Sequence, residues 1–90
     1  MILKAGVIGL GVGEQHIYGY EQDNRCEVIS ICDKNPEKLE EVALRHPGKK
    51  KFTDPDKILF DNSINVVSIA SYDDTHYELI EKAIRNGKHI

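Results

Sequence analysis

The chain has 90 residues, room for one small domain, and its 40% hydrophobic and 30% charged residues make a globular rather than a disordered balance. With 12 Lys and Arg against 15 Asp and Glu, the net charge is −3 and the pI about 5.7, which argues against nucleic acid or an anionic membrane as partner. No apolar run approaches the ~20 residues of a membrane span, and Met1-Ile2-Leu3-Lys4-Ala5-Gly6 lacks the basic head and long apolar core of a signal peptide, so a cytoplasmic location is expected.

Ile2 to Ile8 is apolar with β-branched residues at its end, the pattern of a strand buried on both faces, and Gly9 bounds it. A glycine-rich turn leads into a helix from Glu14 to Asp23, with Ile17 and Tyr20 on one face. Glu27 to Cys32 is the second strand and ends at Asp33. Cys26 and Cys32 lie along that extended run, about 20 Å apart, too far for a mutual disulfide. Both read as small buried hydrophobes, and no zinc-type cysteine spacing exists.

Asn35-Pro36-Glu37 starts a helix: Asn caps, Pro fills the first position, and an acid faces the positive end. Leu39, Val42, Ala43 and His46 form its apolar stripe, and Pro47-Gly48 stops it. Lys50 to Thr53 is a short strand, and Asp54-Pro55 opens a short helix through Phe60. Val66 to Ser71 is a buried strand. Thr75 to Asn86 is the strongest helix, opened by Thr75-x-x-Glu78 as a capping box or by Asp74 as N-cap. His76, Leu79, Ile80, Ala83 and Ile84 form its buried stripe, Glu78–Lys82 and Glu81–Arg85 are favourable i,i+4 pairs, and Gly87 is the stop. Lys88-His89-Ile90 begins one more strand. This alternation predicts an α/β fold, a Rossmann-like three-layer doubly wound parallel sheet of strand order 3-2-1-4 with a fifth strand clipped.

The first strand runs into Gly9-Leu10-Gly11-Val12-Gly13-Glu14. At such a turn the free N–H groups and dipole of the next helix favour an anion, and glycines let a dinucleotide's pyrophosphate approach the backbone. The spacing is G-x-G-x-G rather than G-x-G-x-x-G, whose last position here is Glu14. A strand precedes the glycines, a helix follows, and Asp33 closes the next strand about 20 residues on, where an acid bonds a ribose diol. A plain strand–helix turn and a solvated loop acid are the bland readings of the same residues. Many S-adenosylmethionine methyltransferases also use G-x-G-x-G, usually with an acid two residues before the first glycine. That position is Val7 here. A non-catalytic nucleotide-binding module is a further alternative.

Val66-Val67-Ser68-Ile69-Ala70-Ser71-Tyr72-Asp73-Asp74-Thr75-His76, and then Ala83 to Gly87 with Lys88-His89-Ile90, resembles the glucose–fructose oxidoreductase/inositol dehydrogenase (Gfo/Idh/MocA) family. His16 after the glycine turn fits the family's G-x-G-x-x-G-x-x-H shortened by one residue, and the resemblance runs from Val7 to Ile90. It implies an oxidoreductase transferring hydride between NAD and a sugar or polyol-like alcohol. It also implies that Gly9, Gly11 and Gly13, with Val12 between them, hold the pyrophosphate and that Asp33, beside Lys34, holds the adenosine ribose. An acid at that place favours NAD over NADP, and Lys34 offsets part of the repulsion. Ser71 and His76 match positions near the nicotinamide-side ribose and the substrate entrance, and Tyr72 stands where the family usually has proline. The family's Glu-Lys-Pro segment, with its usual catalytic lysine, would follow Ile90, so no catalytic residue is expected within residues 1–90. These would form part of a dinucleotide-binding domain, with the C-terminal substrate domain outside them. A clipped sheet edge along Val66 to Ser71 adds the expectation of self-association into a homo-oligomer.

Other conspicuous residues have plain readings. His16 and His76 are expected on helix faces rather than as metal ligands. Asp73-Asp74 suits a helix start, and Lys49-Lys50-Lys51 a solvated charge cluster. Tyr18 and Tyr20 are expected to pack along the first helix.

Overall fold

The computed structural model describes residues 2–70 and 76–90, His76 by its backbone alone. Four strands and four helices alternate: β1 (Leu3–Ile8), α1 (Gly13–Glu21), β2 (Cys26–Cys32), α2 (Pro36–Arg45), β3 (Lys50–Phe52), α3 (Asp56–Leu59), β4 (Val66–Ile69) and α4 (His76–Arg85). The sheet is parallel, in the order β3-β2-β1-β4. The expected elements and strand order are present, most with ends moved by one to three residues. No described helix is long and apolar enough to cross a membrane.

Alternation along the central strands splits the core into two layers. Ala5 and Val7 of β1, with Val28 and Ile31 of β2, meet Ile17 of α1 and Leu39 and Val42 of α2. Ile8 and Cys32 face the other way, onto Ile58 and Leu59 of α3 and Leu79 and Ala83 of α4. Gly6 lies where α3 presses closest: a Cβ there would stand 2.5 Å from Ile58 Cγ2. Beside it the β1–β2 register slips, so that Ala5 faces Val28 but Gly6 faces Ser30.

Local chemistry sets the helix ends. Asn35 Oδ1 accepts from the N–H groups of Glu37 (2.9 Å) and Lys38 (3.3 Å), with Pro36 in the first position of α2. Gly48 and Gly87 adopt the left-handed φ of +87° and +71° that ends α2 and α4 without a side-chain penalty. The helix start proposed at Asp74 or Thr75 lies outside the described residues.

Three expectations change. Ile84 is exposed, because α4 lies over the last full strand and the sheet core takes up Leu79 and Ala83 first. Lys82 bonds Asp56 across to α3 at 3.0 Å, and Glu78 acts on it as a nearby charge rather than by a direct bond, while the Glu81–Arg85 pair is present. Lys88-His89-Ile90 forms an isolated parallel bridge from His89 to Val66, with Val67 N–H to His89 O at 2.8 Å and His89 N–H to Asn65 O at 2.9 Å. The outer edge of β4 is therefore partly paired already.

Gly6→Ala is expected to lower stability by about 1–3 kcal/mol, since Ile58 is fully buried and its branched methyl has nowhere to yield. Urea unfolding with an unchanged slope measures it. Gly19→Ala, in α1 with open space around it, should raise stability by up to about 1 kcal/mol.

Candidate functional site

Parallel strands deliver their following loops to one edge of the sheet, and those loops enclose a cleft of ≈ 350 Å³. Gly9, Leu10, Gly11 and Val12 after β1 line it, with Asp33 and Lys34 after β2, Pro55 after β3 and Ala70 after β4. Ile8, Cys32 and Leu79 complete its apolar walls. Burial pushes the Cys32 thiol up to about 12, helped by the charges of Asp33 and Asp54, so it stays protonated as a small wall residue. The chain's cysteines are free, as expected for two residues of one strand.

The glycines of the turn have different tasks. Gly9 takes φ +89°, which turns the chain out of β1, and its N–H bonds Cys32 O at 2.8 Å. Gly11 has open space where a side chain would begin, so a bound group can come up to the backbone. Gly13 does not line the cleft. It is the buried first residue of α1, where a Cβ would lie 3.1 Å from Val7 Cγ1 and 3.4 Å from Ala70 Cβ. Glycine there suits the close packing of helix on sheet, a task that differs from those of Gly9 and Gly11. No side chain caps α1; Gln15 N–H returns to Val12 O at 3.0 Å, so of the first turn the N–H groups ahead of Gln15 are left for a ligand or solvent.

Asp33 is more occupied than a solvated loop acid. Oδ2 accepts from Leu10 N–H at 2.8 Å and Oδ1 from Asn35 N–H at 2.9 Å. A carboxylate has about four lone-pair sites, so two stay available for a ligand hydroxyl. The bond to Leu10 pins the glycine turn to the end of β2.

Glu14 stands in the first turn of α1, where the usual fingerprint has its last glycine. Arg45, the last residue of α2, grips it with two bonds, Nε to Oε2 at 2.7 Å and Nη2 to Oε1 at 2.8 Å. His46 Nε2 lies 3.1 Å from the same Oε2 and stacks edge-on against Tyr18, ring centroids 4.8 Å apart. The Arg45 hydrogen bonds hold the Glu14 carboxyl below its ordinary value, outweighing the opposing effect of burial. His46 thus belongs to a polar clasp between helices as well as to the buried side of α2.

His16 is exposed on α1, as expected, and its Nδ1 is hydrogen-bonded to the hydroxyl of Ser68 in β4. His76 opens α4, while Ser71 and Tyr72 lie outside the described residues. Lys49 is not part of a solvated cluster. Its side chain is 9% exposed and its Nζ bonds Glu21 Oε2 at 2.8 Å and Val28 O at 3.0 Å, because the chain enters β3 beside β2. Lys51 pairs with Glu40 at 2.9 Å. Pro55, Ala70 and Leu79 were not foreseen as cleft residues. Their position just past strand ends, or on the helix over them, was the available signal.

An oxidoreductase family with an NAD-binding Rossmann fold, Gfo/Idh/MocA, matches residues 3–90. Inositol 2-dehydrogenase of Paracoccus denitrificans is 32% identical over 91 residues, 98% of this chain and 27% of its own length. Myo-inositol dehydrogenase of Lactobacillus casei, solved with NAD(H) and myo-inositol, superposes with a TM-score of 0.87 at 30% identity, covering 98% of this chain and 27% of that one. A probable dehydrogenase of Thermotoga maritima gives a TM-score of 0.90 at 28% identity, over 97% and 26%. The chain spans about a quarter of the length of the curated relatives it matches.

Asp33→Ala is expected to lower the stability of the ligand-free protein by about 1–3 kcal/mol, because Leu10 is fully buried and its N–H would lose its acceptor. Urea titration reads this directly. Glu14 should make stability depend on acid. A carboxyl lowered by folding stabilises above its unfolded pKa and loses that contribution as pH falls through the lower folded one. The stability advantage over Glu14→Gln should therefore be full at neutral pH and shrink steadily below 4.5, as unfolding midpoints at successive pH values would report.

Proposed function

The chain belongs to the Gfo/Idh/MocA oxidoreductase family, and from that premise we propose that it is the dinucleotide-binding part of an NAD-dependent dehydrogenase acting on a sugar or polyol-like alcohol. The observation that carries this reading is the convergence in one cleft of an open glycine turn, the uncapped start of α1 and the Asp33 carboxylate. The N–H groups of Gly13 and Glu14 at the start of α1 and the backbone at Gly9, Gly11 and Val12 take the pyrophosphate. Asp33 uses its remaining lone pairs on the adenosine ribose, and Lys34 lines the same wall. Ile8, Cys32 and Leu79 give an apolar bed and keep water from the buried side. When bound, the nicotinamide supplies the hydride chemistry. Ser71 and His76 take the nicotinamide end by family position, and the catalytic lysine and most substrate contacts come from other parts of the protein.

The methyltransferase alternative meets a physical obstacle at Val7. That residue is fully buried between β1 and α1, against Leu10 and Ile17. A carboxylate there would sit unpaired in an apolar layer, at a cost of several kcal/mol. The polyol substrate is supported by relatives named as inositol dehydrogenases.

Calorimetric titration with NAD and NADP tests the cofactor site. A 2′-phosphate removes a hydroxyl donor and sets charge against Asp33, so NAD should bind roughly ten- to a hundredfold tighter. Asp33→Ala loosens the turn for both ligands alike but should collapse their ratio. Equal affinities in the unsubstituted protein would take Asp33 off the ribose, and reduction of NAD by the full-length protein with a panel of inositols and sugars would decide the substrate class.

A further inference from the structure

We infer that Arg45 is a positioning residue for the dinucleotide, holding the Glu14 carboxylate so that the start of α1 keeps the positive character a pyrophosphate needs. The inference rests on the dinucleotide reading above and extends it to two residues outside the cleft.

The start of a helix carries the equivalent of about half a positive charge, and it fades within one turn. Glu14 is the second residue of α1, inside that turn. A free carboxylate there would claim the same N–H groups and repel two phosphates. Both of its oxygens are instead engaged. Arg45 binds them as a fork at 2.7 and 2.8 Å, and His46 adds a third contact at 3.1 Å. The fork draws the carboxylate toward the end of α2 and sets a positive charge directly against it. Arg45 also meets Glu41 at 3.2 Å, one turn back on α2, which fixes the direction of its side chain. Glu14 is 14% exposed and Arg45 41%, so the acid is the inner partner and the cation shields its open side.

Removing Arg45 alone would leave the negative charge of Glu14 with only its His46 contact, near the phosphate end of the cleft, whereas removing both charges would not. Arg45→Met keeps the aliphatic packing, Glu14→Gln removes the acid, and the double variant removes both. Calorimetric titration with ADP-ribose and with adenosine separates charge from folding. We expect Arg45→Met to weaken ADP-ribose roughly two- to tenfold, the range of a charge acting at a helix end. Adenosine, without phosphates, should be unchanged. The Glu14→Gln/Arg45→Met protein should recover ADP-ribose affinity to within about twofold of the original, and about 1 M salt should erase most of the difference. Unchanged ADP-ribose binding in Arg45→Met overturns the inference. So does an equal loss for adenosine, or failure of the double variant to recover, since either marks a merely structural clasp. If the unsubstituted protein binds adenosine but gains nothing from the phosphates of ADP-ribose, the dinucleotide reading itself falls.

Discussion

Asp33 joins the end of β2 to the turn leaving β1 through its bond to the N–H of Leu10, and the shape of the cleft depends on that bond. Leu10 is fully buried in the layer beneath α1, so its N–H has no water to turn to. The acid therefore has work to do before any ligand arrives. It fixes the turn, and the Asn35 N–H fixes the acid, leaving half of its acceptor capacity directed outward. A ribose meeting this carboxylate meets a group already oriented. Less ordering entropy is then lost on binding than with a freely rotating side chain.

The turn also needs its helix at the right height, and β1 sets that. Helices press on this central strand from both sides, and glycine marks each closest approach. Gly6 yields to Ile58 on one face, and Gly13 of α1 settles onto Val7 on the other. A methyl added at Gly13 would meet Val7 Cγ1 at 3.1 Å, closer than ordinary van der Waals contact. The two glycines thus set how closely α3 and α1 approach the sheet.

Periodicity and caps made the architecture readable in advance. The Asn35-Pro36 start of α2, the stops at Gly48 and Gly87 and the order of the four strands follow from local rules that tertiary structure did not override. The glycine turn and Asp33 could be read together as a candidate site because strand, turn, helix and acid stand at fixed offsets, and the structure brings them to one cleft. What escaped were pairings between residues far apart in the chain. Glu14 meets Arg45 31 residues on, Lys49 meets Glu21 28 residues back, and Lys82 crosses to Asp56. Spacing along one helix cannot anticipate such partners, because they depend on how helices lie side by side. Ile84 misled for a related reason. It belongs to an apolar stripe by period, yet burial needs a sheet beneath it, and the described sheet reaches its last full strand at β4.

Lys88 shows how a basic residue in a strand-like segment can serve the fold. Its amine bonds Asp61 O at 2.7 Å and Ile64 O at 2.9 Å, and burial lowers its pKa despite the nearby Asp61 charge. Those carbonyls belong to the loop between α3 and β4, where a buried acceptor without a donor would be costly. A methionine at this place would fill the space but take the donor from Ile64 O, while Asp61 O would keep only the Ile64 N–H at 3.1 Å. The amine thus ties the exit of α4 to the entry of β4, while the backbone of His89 pairs with Asn65 and Val67 alongside. Together these bonds hold the position of β4, whose far end delivers Ala70 both to the cleft wall and to the underside of Gly13. A contact well away from the cleft thereby helps set the height of α1 above it.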